Sequence, residues 1–217
     1  MTDRDEPDVT ADSRAGVVLA GGFSTRFGDA DKAVADLGGK PMVRHVAERV
    51  ATVTDELVIN CRDEQTEPIH EALEPSPVDA RFAVDPTPDL GPLGGIRIGL
   101  EAVESPYAAI VACDMPFVDP DLLAALFETA EGRDGAVPKL EDGWYQTTQA
   151  VYRSEPMVRA CTRALEESDG RVLAALEYLD WVVVDEATVR EHAPLETFES
   201  VDTREELEAA ERRLARR

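Results

Sequence analysis

The chain has 217 residues, with 45 acidic against 22 basic side chains and a formal net charge of −23. That length suits one domain able to bury a full core without disulfide staples, and a surface of this sign repels nucleic-acid phosphates, which argues against a nucleic-acid partner. All basic residues but Lys32, Lys40 and Lys139 are arginines, a composition expected of a halophilic protein kept soluble in concentrated salt, where the screening length shrinks to about 3 Å.

Residues 1–14 are polar and acidic without apolar periodicity and are expected to form a disordered tail, leaving 15–217 as a single domain. From Ala15 onward, short apolar runs near 15–20, 56–60, 81–84 and 107–112 read as strands. They alternate with amphipathic stretches near 41–53, 64–73, 91–103 and 120–130 that read as helices. This rhythm predicts an α/β fold, a mostly parallel sheet covered on both faces. After about 131 the pattern shifts to short strands near 135–138, 144–152 and 181–185, with helices near 155–167 and 171–179. A small β-rich C-terminal region covering one end of the sheet is expected there. A last helix runs from Thr203, which forms a capping box with Glu206.

Cys61, Cys113 and Cys161 stand far apart, as do His45, His70 and His192, so neither zinc-ligand spacing nor a Cys/His catalytic pair is present. No stretch of about 18 apolar residues occurs, and the N-terminus lacks a signal peptide's basic and apolar regions, so a cytoplasmic protein with no membrane partner is expected.

The densest chemical signal is the run Leu19-Ala-Gly-Gly-Phe-Ser-Thr-Arg-Phe-Gly-Asp-Ala-Asp-Lys32, directly after the first apolar run. Gly21, Gly22 and Gly28 let main-chain N–H groups approach an anion, while Arg26 and Lys32 bring positive charge to the same place. It matches neither the P-loop nor the dinucleotide-binding spacing. In a chain that nearly lacks lysine, Lys32 at the end of such a loop points to chemistry. Ligands of open α/β sheets sit at the carboxyl ends of the strands, and Asn60, Asp85 and Asp114 follow or end later strands. Asp114 suits a Mg²⁺ ion, which takes one or two carboxylates plus phosphate oxygens. The alternative, a helix cap, is weakened because the next helix is expected to begin near Asp119 and Pro120.

These motifs, with Val58-Ile-Asn-Cys61, Asp85-Pro-Thr-Pro-Asp-Leu-Gly-Pro-Leu-Gly-Gly95 and Cys113-Asp-Met-Pro116 in order, resemble the molybdenum cofactor guanylyltransferase family over about the first two thirds of the chain. The resemblance implies a three-layer Rossmann-like nucleotidyltransferase fold. It implies transfer of GMP from GTP to the phosphate of molybdopterin with release of pyrophosphate. Carried over by position, Leu19, Ala20, Gly21, Gly22, Lys32, Asn60, Asp85 and Asp114 would bind GTP, Asp114 would hold Mg²⁺, and Lys32, Arg26 and Asp114 would be catalytic. Which of Asn60 and Asp85 meets base, ribose or phosphate stays open. Asp202 stands where the family has Asn; an N-terminal cap for the last helix or a second metal contact are its two readings. The segment Trp144–Gln149 is a candidate lining for the acceptor pocket. Proteins that deliver molybdopterin or receive the product are further candidate partners. The rivals are a nucleotidyltransferase with another base or acceptor, such as molybdopterin cytidylyltransferase, a cobamide-pathway guanylyltransferase or a sugar-phosphate enzyme, and a non-catalytic nucleotide-binding scaffold.

Overall fold

The computed structural model describes residues 12–22, 31–86, 91–167 and 170–216. Most of the expected acidic tail, and Arg26 and Gly28 of the glycine-rich loop, lie outside them. The described strands are β1 (Arg14–Leu19), β2 (Glu56–Cys61), β3 (Arg81–Val84), β4 (Tyr107–Ala112), β5 (Gly135–Lys139), β6 (Gln149–Arg153) and β7 (Trp181–Asp185). They form one sheet in the order β3-β2-β1-β4-β6-β5-β7. Only β6 runs against its neighbours; β1 is parallel to both β2 and β4, and β5 to β7.

Neighbouring strand residues point to opposite faces, and the central strands are apolar on both. Val18, Ile59 and Val111 pack against α1 (Met42–Val50), α2 (Thr66–Leu73), α4 (Pro120–Ala130) and α7 (Glu186–His192). Val17, Val58 and Ile110 pack on the other side against α3 (Gly91–Glu101), α5 (Ser154–Glu167) and α6 (Val172–Leu176). These are the three layers of an α/β sandwich. The last helix, α8 (Arg204–Leu214), builds a smaller cluster with Leu37, Met42, Phe117 and Val201 around Ala210.

Three details differ from the sequence reading. The C-terminal strands extend the sheet instead of covering its end, because β6 inserts beside β4 and carries β5 and β7 with it. The strand expected over 144–152 is confined to Gln149–Arg153, since Trp144 to Thr148 turn back on β5 through Gln146 N–H to Pro138 O at 2.8 Å. Helix α7 was not expected: its seven residues bury one large apolar side chain, Val189, which leaves no readable period.

The chain's first crossover, from β1 to β2, moves one way across the sheet, and β4 then lands on the other side of β1. Such a reversal opens a crevice beyond the carboxyl ends of β1 and β4. Among the described residues no helix is long and apolar enough to cross a membrane.

Candidate active site

Leu19 pairs with Asn60 on one side and Ala112 on the other, so β1, β2 and β4 run out at the same level. The ladders continue one step further, Ala20 N–H to Asn60 O at 2.8 Å and Cys113 N–H to Leu19 O at 3.0 Å. Ala20–Gly22 and Cys113–Asp114 are thereby delivered to one place, where a cavity of about 90 Å³ is lined by Leu19, Ala20, Gly22, Lys32, Ala33, Cys113 and Asp114. A larger hollow of about 610 Å³ lies at the amino end of β2. Glu48, Asp55, Glu56 and Asp79 line it, and such a rim repels a triphosphate.

Lys32 opens a short 3₁₀ turn, Lys32–Val34, capped by Asp31, whose Oδ1 accepts from Ala33 N–H at 3.0 Å. Its Nζ donates to Asp114 Oδ2 and to Asp202 Oδ1, each at 2.7 Å. The side chain is 14% exposed. Burial works against its charge, but the carboxylates of Asp114 and Asp202 outweigh burial and hold the ammonium above its ordinary pKa. Lys32 is therefore a fixed cation at any physiological pH.

Asp114 lies in the turn that follows β4, where Met115 N–H meets Ala112 O at 3.1 Å. Among the described residues it caps no helix: Asp119 caps α4, with Pro120 in the first turn, where the sequence places the helix start. For Asp202 the cap reading is corrected. Thr203 caps α8 in the expected box with Glu206, and Asp202 is left to reach Lys32. A backbone bond from Val201 N–H to Asp114 O at 2.9 Å seats the two acids side by side. The neighbouring Cys113 thiol is buried, which raises its pKa and keeps it neutral.

On the β2–β3 side, Asn60 is buried and its Nδ2 donates to Ala83 O at 3.1 Å and to Asp85 Oδ1 at 2.6 Å. Both amide hydrogens are spent inside the protein, so Asn60 orients Asp85 and has no donor left for a ligand. Burial lifts the Asp85 pKa above the usual carboxylate value, with Asn60 and then Arg62 pulling it back. Two glycines make this packing possible. A Cβ on Gly21 would stand 2.6 Å from Asp85 Oδ2, and one on Gly95 would stand 2.5 Å from Asn60 Oδ1.

Leu19, Ala20, Gly22, Lys32 and Asp114 line the cavity, whereas Asn60 and Asp85 form a separate bonded pair packed against Gly21, one residue along the same loop backbone. Two residues escaped the sequence reading. Arg62 and Gln65, just past β2, bond the carbonyls of Ala20, Gly21 and Gly22. The one available signal was their position at a strand's carboxyl end, where side-chain reach cannot be read. Of the suggested acceptor lining, Thr148 adjoins the site through its carbonyl, which accepts from Ala112 N–H at 2.9 Å. Gln149 does not face it, being buried with Nε2 on Thr197 Oγ1 at 2.6 Å.

A family model described as the MobA-like NTP transferase domain matches residues 16–208, spanning this crevice and both flanking layers. The chain belongs to the MobA-like NTP transferase family. A protein of Natronomonas pharaonis named "Probable molybdenum cofactor guanylyltransferase" is 52% identical over 93% of this chain and 98% of its own length. A Haloferax mediterranei protein of the same name is 39% identical over 90% and 92%. The crystal structure of molybdopterin-guanine dinucleotide biosynthesis protein A from Archaeoglobus fulgidus superposes with a TM-score of 0.77 at 25% identity, covering 94% of this chain and all of the other. The 4-diphosphocytidyl-2C-methyl-D-erythritol synthase of Anaerococcus prevotii shares the fold alone, with a TM-score of 0.72 at 13% identity over 94% and 96% of the two chains.

Proposed function

We propose that this MobA-like transferase moves GMP from GTP onto the terminal phosphate of molybdopterin, releasing pyrophosphate. The observation that carries the reading is the meeting of Lys32 and Asp114 beside the glycine backbone at the switch point of the sheet. The acceptor phosphate attacks the α-phosphorus in line, so no side-chain nucleophile is needed and the protein's work is positioning and charge neutralisation. Lys32 stays protonated and supplies positive charge to phosphate oxygens as negative charge builds in the transition state. Arg26, outside the described residues, is assigned the same task on the strength of its place in the loop. Asp85, aimed by Asn60, accepts from the donors of the nucleoside, which are the N1–H and amino group of guanine.

The donor set fits a hard divalent cation. Asp114 offers carboxylate oxygen in a position already occupied by positive charge, and Asp202 converges on the same ammonium. Among the described residues no cluster of three or more metal-ligating side chains occurs, so an ion here would share its coordination with nucleotide phosphates. Mg²⁺ held by Asp114 would supply Lewis-acid stabilisation of the phosphate oxygens. The cytoplasm, with molybdopterin-delivering or molybdenum-enzyme partners, is the setting this reaction implies. The test is pyrophosphate release in molar KCl with Mg²⁺, molybdopterin and each of GTP, CTP and ATP. GTP is expected to support turnover above the other two; equal use of CTP or ATP would overturn the guanylyl assignment.

A further inference from the structure

Three successive carbonyls at the start of the glycine loop accept side-chain hydrogen bonds from one short segment after β2. Gln65 Nε2 reaches Ala20 O at 2.9 Å, and Arg62 Nη1 reaches Gly21 O at 2.7 Å and Gly22 O at 2.9 Å. In a trans peptide the C=O and the following N–H point opposite ways, and the described chain holds no cis bond. Pulling the carbonyls of Ala20 and Gly21 toward Arg62 and Gln65 therefore turns the N–H groups of Gly21 and Gly22 away from them. Neither N–H donates to any described residue, and Gly22 lines the cavity shared with Lys32 and Asp114.

Gln65 does a second thing. It is buried, and its other amide hydrogen goes to Asp31 Oδ2 at 2.6 Å, while its Oε1 accepts from Arg62 N–H at 2.9 Å. Asp31 in turn caps the 3₁₀ turn that presents Lys32. One amide thus ties the strand end where the loop departs to the turn on which the ammonium is mounted.

We propose that Arg62 and Gln65 are positioning residues that aim the Gly21 and Gly22 N–H groups, together with Lys32, at the phosphates of the nucleotide. Neither touches the nucleotide. The Arg62 charge behind the Gly21–Gly22 peptide strengthens the dipole whose positive end, the Gly22 N–H, faces the anion, while Gln65 fixes the peptide that carries the Gly21 N–H. This inference rests on the reading of the crevice as a triphosphate site.

The test is calorimetric titration of wild type and Arg62→Met with GTP, guanosine and tripolyphosphate, and of wild type also with ATP, in molar KCl with Mg²⁺. Arg62→Met should weaken GTP and tripolyphosphate about tenfold, the effect of losing a charge-assisted hydrogen-bond pair, and weaken guanosine clearly less, only through the lesser pull of Arg62 on the Asp85 carboxyl. An equal loss for all three ligands, no loss for any, or a wild type that does not bind tripolyphosphate overturns the proposal. A wild type that binds tripolyphosphate but takes ATP as tightly as GTP removes the guanylyl reading and leaves the brace standing. If Arg62→Met does not fold, Arg62→Lys keeps the charge and one donor and carries the same comparison. Its expected loss is about threefold, for the two phosphate ligands only; an equal change for guanosine overturns the proposal in that variant too.

Discussion

The two ends of the sheet use carboxylates in opposite ways. Near the amino end of β2, Glu48 accepts from Lys40 at 2.5 Å, Arg44 Nε at 2.7 Å and Ser76 Oγ at 3.0 Å. Burial pushes its pKa up, but these donors dominate and bring it down to about 2. Glu56 there is likewise saturated, by the N–H and hydroxyl of Ser105, the N–H of Glu104 and the guanidinium of Arg81. At the carboxyl ends, Asp114 and Asp202 converge on one ammonium, and Asp85, drawing on a single side-chain amide, is lifted by burial. Glu48 and Glu56 are satisfied from within the fold, whereas Asp114 and Asp85, which we propose to serve the nucleotide, each accept from one side-chain donor among the described residues.

The sharpest way to break this contrast is to change one residue at each end. Lys32→Ala should lower kcat for pyrophosphate release by about 10²–10³-fold, the usual loss for a transition-state charge partner, with its melting temperature little changed. Glu48→Gln should do the reverse. Because Glu48 has a folded pKa near 2 against an ordinary 4.5, its contribution is complete above the higher value and lost as pH falls through the lower. The stability gap between wild type and Glu48→Gln should therefore narrow across that window in acid denaturation followed by circular dichroism. A gap independent of pH would show that Glu48 acts through packing alone.

A smaller effect sharpens the functional side. Asn60→Ala removes the donor that steadies ionised Asp85, so the Asp85 pKa should rise further and GTP affinity should fall about tenfold near neutrality. The acid limb of the affinity profile should also move to higher pH, since a protonated Asp85 is a poorer acceptor. A profile that keeps its position would remove Asp85 from nucleoside recognition.

Most of the site was legible because the informative residues end apolar runs, and a strand's end can be located from composition alone. Asn60, Asp85 and Asp114 were singled out that way, Lys32 by its place at the end of the glycine-rich loop in a chain with few lysines, and the capping box at Thr203 and Glu206 follows from local spacing. What stayed hidden is what depends on strand order. Asp202 meets Lys32 across 170 positions of sequence, and β6 lies between β4 and β5; no local period records either. Arg62 and Gln65 were missed for a related reason. Their role is set by which backbone lies within reach of the side chain, and an Arg and a Gln after a strand are otherwise ordinary surface residues.

The most direct test of the central claim is Mn²⁺ binding in the presence of GTP, followed by electron paramagnetic resonance, in wild type and Asp114→Asn. Wild type should bind Mn²⁺ more tightly when GTP is present, and Asp114→Asn should lose about tenfold or more of that affinity, as expected when a carboxylate ligand is neutralised. Unchanged affinity in Asp114→Asn would place the metal and its triphosphate elsewhere and contradict the account.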